Sequence, residues 1–423
     1  MSTFPKSAIL FSDAAIRVQA DTMAPLFNKV NAAVRDWQER GEKFISLAVG
    51  APDTTLLPHD VLTTLRSEAA AQFGNGIGNY THPQGFPPYR QAIARYLTAE
   101  GAVGCTPENI LATSGGLDAL TITARLFLNE GDTVITEGPG FASLLSKFTE
   151  LGVRIIQLGV DEEGVRPEEL DAAIEAHNPK LLSLMPDYLN PTGAVMSVAR
   201  RKAIGEVIRK HGVFTMEDLT YRPLGFADDE SHPPLQAFAP DWVILAGSGS
   251  KVAEPSLRTG FLACARKDPN GLFAVVEKAV AYKSANDMQA SGENQAVLGT
   301  FFDPAGKGYL KQELARRNPV YRARRDAMIG ALERYFSKQS GYSWNKPNGG
   351  MFLWLTGPEG TDFTAKEDDA IAHGVAYAPG SMFYAGDSSQ VPHHNARLNF
   401  ASTPEEDIPE AIRRLAVAMG VAK

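Results

Sequence analysis

The middle of the chain alternates short apolar runs with longer amphipathic stretches, and this alternation limits the folds available to it. Runs typical of buried strands fall at residues 133–136, 154–158, 181–185, 213–216, 242–246 and 261–264, and helix-like patterns fall at 141–151, 167–177 and 198–211. Pro167 favours a helix start, and Gly212 favours a helix end. Strands alternating with helices predict an α/β fold, a mainly parallel sheet covered by helices on both faces, with ligands at the carboxyl ends of its strands.

A second, smaller α+β domain is expected from the C-terminal part of the chain. A long helix-rich stretch at 294–334 leads out of the predicted sheet, and strand-like runs follow at 350–355 and 396–400. Residues before about 60 are expected to join this second domain or to bridge the two. The predicted organisation is an N-terminal arm and small-domain segment over 1–59, a large ligand-binding domain over 60–310 and a small domain over 311–423.

Charge and cysteine content exclude several classes of function. The formal net charge is −8 with a pI near 5.6, so nucleic acid is not an expected partner. Clustered arginines at 316–317 and 322–325 are expected to form a solvated helix face. Cys105 and Cys264 give neither a disulfide framework nor a metal-ligand spacing, so no metal is predicted.

The sequence predicts a soluble cytoplasmic protein without a membrane partner. No apolar run approaches the roughly 20 residues that a membrane-spanning helix needs. Residues 1–10 also lack the apolar core of a signal peptide.

The motif after the strand predicted at 242–246 has the most distinctive chemistry. It contains Ser248, Ser250 and Lys251, and Arg258 lies seven residues after the lysine. A lysine amine can condense with an aldehyde, while hydroxyls and a guanidinium can hold a phosphate dianion. The set therefore suits a phosphorylated aldehyde, although a plain surface loop of serine and lysine has the same composition.

Two turns at predicted strand ends add possible ligands. Gly115, Gly116 and Leu117 lie at the start of a helix predicted over 117–128, where free N–H groups and the helix dipole suit an anion. Asn190 lies in an Asn-Pro-Thr-Gly turn, from which its amide can reach a ring oxygen. Both also have a purely structural interpretation, as a capped glycine turn and as a tight turn.

Two further motifs place charge near the same edge. Asp218 and Tyr221 follow the strand predicted to end at Met216. A carboxylate there can hold a protonated pyridine nitrogen and keep the ring electron-accepting, whereas an exposed acidic loop is the alternative. Arg397 stands in an apolar run and needs a partner, which is either a protein carboxylate or a substrate carboxylate.

In their order and spacing these motifs resemble the class I and II aminotransferases, which are pyridoxal-phosphate enzymes of fold type I. The resemblance extends from about residue 45 to about residue 400, and the motifs around Asp218 and Lys251 are most similar to the branch of 2-aminoadipate and aromatic aminotransferases. It implies a pyridoxal-phosphate-dependent aminotransferase that moves an amino group between an α-amino acid and an α-keto acid by a ping-pong route.

The resemblance also implies a role for each motif residue. Lys251 would bind the cofactor covalently and move the substrate proton, Asp218 would pair with the pyridine nitrogen, and Tyr221 would donate to the ring oxygen. Asn190 would donate to the same oxygen, and Phe141 would stack on the ring. The implied phosphate ligands are Ser248, Ser250 and Arg258 with the backbone N–H groups of Gly115, Gly116 and Leu117.

Three further residues are implied for the substrate and for a partner subunit. Arg397 would bind the substrate α-carboxylate, and Gly50 would lie in a loop that closes over the substrate. Asn190, already implied for the cofactor, would contact the substrate as well. Tyr80 would reach the phosphate in a neighbouring subunit, which implies a homodimer.

Several positions depart from the family pattern and leave a second function open. Leu117 and Phe141 replace residues that are often polar or hydroxylated, Ser256 replaces a frequent glycine, and Leu189 precedes Asn190 where a polar residue is frequent. A specialised reaction on the same cofactor, such as cyclisation, elimination, substitution or oxidation, is the alternative to transamination. A cofactor-binding regulator is a third possibility, which the lack of a basic segment before the fold disfavours.

Substrate selection is not readable from these motifs. The segment at 17–26 is expected to lie over the mouth of the pocket, by analogy with the family. Arg17 within it either binds an acidic substrate side chain or is solvated.

Overall fold

The computed structural model describes residues 12–17, 23–226, 232–266, 274–336 and 340–422. In these ranges the α-helices are α1 (Asp13–Arg17), α2 (Met23–Glu39), α3 (His59–Phe73), α4 (Pro87–Ala99), α5 (Gly116–Phe127), α6 (Ala142–Leu151), α7 (Pro167–His177), α8 (Val198–His211), α9 (Val275–Asn286), α10 (Gly292–Phe302), α11 (Tyr309–Tyr335), α12 (Glu367–Ala372) and α13 (Ile408–Ala418). The β-strands are β1 (Ile45–Ser46), β2 (Ile110–Thr113), β3 (Thr133–Gly138), β4 (Arg154–Asp161), β5 (Gly164–Val165), β6 (Leu181–Leu184), β7 (Thr215–Asp218), β8 (Val243–Ser248), β9 (Gly260–Ala263), β10 (Ser343–Trp344), β11 (Phe352–Thr356), β12 (Val375–Ala376), β13 (Ala378–Pro379) and β14 (Asn395–Asn399).

The large sheet has the strand order β2–β9–β8–β7–β6–β3–β4–β5. Its central neighbours, from β4 through β3, β6 and β7 to β8, pair in parallel. β9 is antiparallel to both of its neighbours, and β5 is antiparallel to β4. The predicted mainly parallel sheet is therefore confirmed.

Successive side chains of the sheet point into two helical layers. Val134 and Ile244 pack into a core with residues of α5, α6 and α9. Ile135 and Leu245, the next residue on each strand, pack into a second core with residues of α4, α7, α8 and α10. This period-two alternation places helices on both faces, as the sequence pattern predicts.

Helix α8 has the bounds predicted for it, and its ends show why. Ser197 accepts a hydrogen bond from the Arg200 backbone N–H at the start of the helix. Gly212 ends the helix at φ 62°, in the left-handed region that glycine adopts without strain.

Two strands extend two residues beyond their predicted ends. β7 continues from Met216 to Asp218, and β8 continues from Ala246 to Ser248. The ladder continues because Asp218 pairs with Ala246 and Ser248 pairs with Gly260. Asp218 and Ser248 are therefore the last residues of strands rather than members of loops.

A smaller antiparallel sheet follows in the C-terminal part, with the order β10–β11–β14–β13. Phe352 of this sheet shares a core with Leu332 of α11 and Ile412 of α13. β1 pairs in parallel with β12, so the segment near Ile45 is hydrogen-bonded to the C-terminal part of the chain.

The prediction of a solvated arginine face on α11 is wrong for three of its members. Arg317, Arg324 and Arg325 are only 0%, 6% and 4% exposed. Arg317 Nη1 donates to the Val252 carbonyl at 3.3 Å, and Arg324 Nη2 contacts the Asp53 carboxylate at 2.8 Å. These arginines are buried because backbone carbonyls and a carboxylate accept from them.

No helix among the described residues is both long and apolar enough to cross a membrane. Residues 1–10, whose composition lacks a signal-peptide core, lie outside the described residues.

Candidate active site

A cavity of about 450 Å³ lies at the carboxyl ends of β7 and β8, facing Arg397 of β14. The carboxyl ends of parallel strands are where such sheets bind ligands. The structure brings most of the sequence-predicted site residues to its walls: Gly50, Gly116, Leu117, Phe141, Asn190, Asp218, Tyr221, Ser248, Ser250, Lys251, Arg258 and Arg397. Gly115 and Tyr80 do not line it.

Lys251 lies three residues after the end of β8 and extends into the cavity. Its Nζ donates to the Gly50 carbonyl at 2.6 Å and lies 5.9 Å from the centroid of the Tyr221 ring. Burial, reinforced by Arg397 and Arg258, lowers the pKa of Lys251 to about 8. A neutral amine is therefore accessible near neutral pH, as a nucleophile or a base requires.

Asp218 is 5% exposed at the end of β7, and Oδ1 accepts the Thr220 backbone N–H at 2.9 Å. Burial raises the pKa of Asp218, although Thr220 and the Lys251 ammonium act in the opposite direction. Within the described residues Asp218 forms no ion pair, so a cationic group in the cavity would find an acceptor there.

Arg397 faces the same cavity from the small sheet and is 2% exposed. Nη1 donates to Asn190 Oδ1 at 2.9 Å, and Nη2 donates to the Ala48 carbonyl at 2.7 Å. Its guanidinium carbon lies 4.2 Å from the Phe352 ring centroid. Burial lowers the pKa of Arg397 to about 10.

No carboxylate pairs with Arg397 among the described residues, and its Nε lacks a hydrogen-bond partner there. A buried guanidinium without a counter-ion favours an anionic ligand. The geometry therefore supports the substrate-carboxylate alternative over a salt bridge within the protein.

The start of α5 forms the opposite wall. Gly115 is its N-cap at φ 100°, and a Cβ there would lie 2.9 Å from Arg258 Nη2. A Cβ on Gly116 would lie 3.2 Å from Ser248 Cβ. Glycines at both positions allow close approach of the helix N-terminus to the Ser248 and Arg258 side chains. Ser248 Oγ donates to Ser250 Oγ at 3.0 Å, which completes a set of donors suited to a phosphate.

The mouth of the cavity contains residues that the motifs did not reveal. Met23, Ala24 and Phe27 of α2 line it, together with Phe383 of the small domain. Met23 and Ala24 fall in the segment expected to cover the mouth, but residues 18–22 of that segment lie outside the described residues. The apolar face of α2 was the available signal, whereas nothing local in the sequence marked Phe383.

Arg17 does not line the cavity. Its Nη2 lies 2.6 Å from Glu130 Oε1, in a partly exposed ion pair. Neither of the two alternatives considered for Arg17, an acidic substrate or water alone, matches this arrangement.

Tyr80 is 79% exposed on the surface of the chain. It contributes nothing to the cavity of its own subunit. An exposed tyrosine of this kind is free to contact a second chain.

Residues 42–415 match the family described as aminotransferase class I and II, and the chain belongs to that family. It is 30% identical over 412 residues to the aromatic-amino-acid aminotransferase 1 of Thermococcus litoralis, covering 96% of this chain and 93% of that one. It is 29% identical to the 2-aminoadipate transaminase of Thermus thermophilus, covering 97% and 96% of the two chains.

Solved structures agree with this assignment. The kynurenine aminotransferase of Pyrococcus horikoshii superposes with a TM-score of 0.86 at 29% identity, covering 97% of this chain and 96% of that one. The alpha-aminoadipate aminotransferase of Thermus thermophilus, in complex with N-(5'-phosphopyridoxyl)-L-leucine, superposes with a TM-score of 0.83 at 28% identity and covers 97% of both chains. The protein is thus a fold type I aminotransferase, its cofactor is pyridoxal phosphate, and its substrates are amino acids and keto acids.

The residues of the cavity fit this cofactor. Gly115 and Gly116, which we call the glycine cradle, lie beside Ser248 and Arg258 and suit a phosphate. Asp218 suits a protonated ring nitrogen, and Lys251 suits an aldehyde. The unpaired Nε of the buried Arg397 leaves a donor for a substrate carboxylate.

Proposed function

We propose that this aminotransferase acts on α-amino acids with large apolar side chains, aromatic ones in particular. The observation that carries the proposal is the composition of the cavity mouth, where Met23, Ala24 and Phe27 form an apolar wall. The cations among the described lining residues are Lys251, Arg258 and Arg397.

Each of those three cations has another role, which leaves none for a carboxylate on the substrate side chain. Lys251 serves the aldehyde, Arg258 the phosphate and Arg397 the α-carboxylate. Desolvating a side-chain carboxylate against an apolar wall without a partner is unfavourable. The names of the Thermococcus litoralis and Pyrococcus horikoshii relatives support an aromatic substrate, whereas the Thermus thermophilus relatives are named for aminoadipate.

Three side chains carry the chemistry in this proposal. Pyridoxal phosphate supplies an aldehyde that takes up the amino group and a ring that accepts electrons from the substrate Cα. Lys251 Nζ, with its lowered pKa, would accept the proton from the substrate Cα and return it during the reaction. Asp218 holds the ring nitrogen in its protonated form, and Tyr221 lies beside the lysine as a donor to the ring oxygen.

The other predicted ligands bind and orient. The hydroxyls of Ser248 and Ser250, the Arg258 guanidinium and the N–H groups of 115–117 hold the phosphate. Phe141, the N-cap residue of α6, lines the cavity and would stack on the cofactor ring. Asn190 both donates to the ring oxygen and orients the Arg397 guanidinium. Arg397 and the loop that contains Gly50, whose carbonyl accepts from Lys251, would hold the α-amino acid beside Lys251.

The active unit in this proposal is a homodimer in which Tyr80 reaches the phosphate in the neighbouring subunit. Its 79% exposure in the single chain supports this assignment. The boundaries at 59/60 and 310/311 remain the proposed domain division, supported by the pairing of β1 with β12. A cytoplasmic location is proposed from the two free cysteines, Cys105 and Cys264.

A panel of half-reactions tests the substrate class. The purified enzyme is mixed with L-phenylalanine, L-leucine, L-2-aminoadipate or L-glutamate, and the change in cofactor absorbance is followed in single turnovers. We expect kcat/KM for phenylalanine to exceed that for 2-aminoadipate by about tenfold or more, since an unpaired charge would have to be desolvated. Faster reaction with 2-aminoadipate than with phenylalanine would contradict the proposal.

Mass spectrometry of the products checks the reaction type in the same samples. Exchange of the amino group with a keto acid acceptor is expected. A product that retains its amine and gains a new bond would indicate a specialised reaction instead.

A further inference from the structure

A buried lysine outside the cavity has no role in the chemistry described so far. Lys283 lies on α9, and its side chain is 0% exposed. A lysine ammonium is seldom buried without compensation by carboxylates, because removing the charge from water is unfavourable. The groups that compensate Lys283 therefore indicate what its burial accomplishes.

Two carboxylates share the Lys283 ammonium. Nζ lies 3.1 Å from Asp118 Oδ2 and 2.8 Å from Asp287 Oδ2. Asp118 belongs to the first turn of α5, and Asp287 follows the last residue of α9. The ammonium thus links the end of α9 to the start of α5.

Both carboxylates also bind Ser114, directly before the glycine cradle. Asp118 Oδ2 accepts the Ser114 backbone N–H at 2.7 Å, and Asp287 Oδ2 accepts the Ser114 hydroxyl at 3.0 Å. Lys283 Nζ itself lies 3.4 Å from Ser114 Oγ. On the other side, the Ser114 carbonyl accepts from Arg258 Nη2 at 3.3 Å.

The two carboxylates would oppose an anion at this place if they were uncompensated. A phosphate held at the N-terminus of α5 would lie near the Asp118 charge in the same helical turn. Lys283 neutralises that charge while leaving the carboxylate oxygens in place as acceptors for Ser114. The turn is thereby held by two acidic side chains without the repulsion that they would otherwise exert.

We propose that Lys283 is a positioning residue for the cofactor phosphate, which acts through Asp118 and Asp287 on the turn at Ser114. Lys283 does not touch the cofactor. It fixes the orientation of the backbone N–H groups at 115–117 and offsets two negative charges beside them. The proposal rests on the assignment of this turn as the phosphate site.

The test compares two cofactors that differ only in the phosphate. Cofactor-free full-length protein is titrated with pyridoxal phosphate and with pyridoxal, and dissociation constants are obtained from the absorbance of the bound forms. The variants are Lys283→Met, which removes the charge, Lys283→Arg, which keeps it, and Lys278→Met, which alters an exposed lysine on the same helix. Thermal unfolding of each cofactor-free variant is recorded alongside.

In Lys283→Met we expect pyridoxal phosphate to bind about 10- to 100-fold more weakly, the usual range for residues that orient the direct ligands of a site. Binding of pyridoxal should change less than about twofold, Lys283→Arg should recover part of the loss because it keeps the charge but not the shape, and Lys278→Met should match the wild type. An equal loss for both cofactors, or no loss for either, overturns the proposal.

Two further results distinguish a failure of this proposal from a failure of the phosphate-site assignment on which it rests. If the wild type binds pyridoxal as tightly as pyridoxal phosphate, the phosphate site itself is misassigned. If Lys283→Met does not fold, Asp118→Asn takes its place. It keeps an acceptor for Ser114 and removes one negative charge, so pyridoxal phosphate should bind it at least as tightly as the wild type. Weaker binding by more than about threefold overturns the electrostatic part of the proposal.

Discussion

The two ends of the cavity are built by different kinds of structure. At the cofactor end, Asp218 and Ser248 are the last residues of adjacent strands, held by ladder pairs. At the mouth, Met23 and Phe27 project from one helix, α2, and Phe27 is 39% exposed. In the function proposed above, the chemistry depends on groups at or just beyond the ends of the sheet strands, whereas substrate selection depends on the surface of a helix. Substitutions at the two ends should therefore change different observables.

The largest effect is expected at the cofactor end, from Lys251→Ala. Loss of the amine removes both the covalent link and the proton acceptor, so the half-reaction with any amino acid should slow by about 10³-fold or more. Borohydride reduction followed by peptide mass spectrometry should find no modified residue 251. The exposed Lys202→Ala on α8 is the control. Activity within tenfold of the wild type would contradict the assigned role.

Asp218→Asn should come next, with a half-reaction about 10²- to 10³-fold slower, because a neutral amide holds a protonated ring nitrogen far less well than a carboxylate does. Single-turnover absorbance measures this, and Asp36→Asn, an exposed position, serves for comparison. An equal slowing of both variants would show that the effect is not specific to the buried carboxylate.

Arg397→Leu tests the small-domain side of the site. The loss of a buried guanidinium should raise KM for the amino acid about 100-fold, since truncating one partner of a buried charged pair is costly. Arg397→Lys should recover only part of this, because a single ammonium cannot replace the planar fork. The prediction fails if KM is unchanged while kcat falls.

The pH dependence of cofactor uptake should report Lys251. Its pKa is lowered to about 8, so the amine is mostly protonated at pH 7 and mostly neutral at pH 9. Only the neutral amine attacks an aldehyde, so the rate at which cofactor-free protein captures pyridoxal phosphate should rise about tenfold from pH 7 to pH 9. A rise centred near pH 10.5 would mean that burial does not shift this group.

The smallest effect is expected at the mouth, from Phe27→Ala. Removing a half-exposed ring should lower kcat/KM for phenylalanine about fivefold, given the partial burial of its apolar surface. Binding of pyridoxal phosphate should not change. Val198→Ala is a matched control, because Val198 is 42% exposed on another helix. A change in cofactor affinity in Phe27→Ala would contradict the claim that residues at the mouth affect substrate selection and not cofactor binding.

Local sequence patterns predicted most of the helices, strands and strand-end motifs, because regular backbone structure determines their positions. Helix α8 was predicted to the residue: Gly212 marked its end in the sequence, and the structure adds Ser197 as the cap at its start. The motif residues around Asp218 and Lys251 converge because consecutive parallel strands end at the same edge of the sheet. The predicted loop positions of Asp218 and Ser248 were wrong, since ladder pairing with neighbouring strands extends β7 and β8 by two residues each.

Local sequence patterns did not predict contacts between parts of the chain that are distant in sequence. The buried arginines of α11 look solvated in sequence because their partners, such as Asp53 for Arg324, lie about 270 residues away along the chain. Phe383 and Lys283 carry no local signal, because their surroundings come from tertiary packing. Charge clusters on a helix are therefore poor guides to exposure until the rest of the fold is known.

Helix α11 contacts both the segment that follows Lys251 and the loop that follows Gly50. Arg317 binds the carbonyl of Val252, directly after Lys251, and Arg324, two turns further along, binds Asp53, three residues after Gly50. Pro319 lies inside α11 between these two arginines, so the two contacts come from successive parts of one proline-containing helix. The position of the Lys251 segment and that of the loop after Gly50 therefore both depend on how α11 packs.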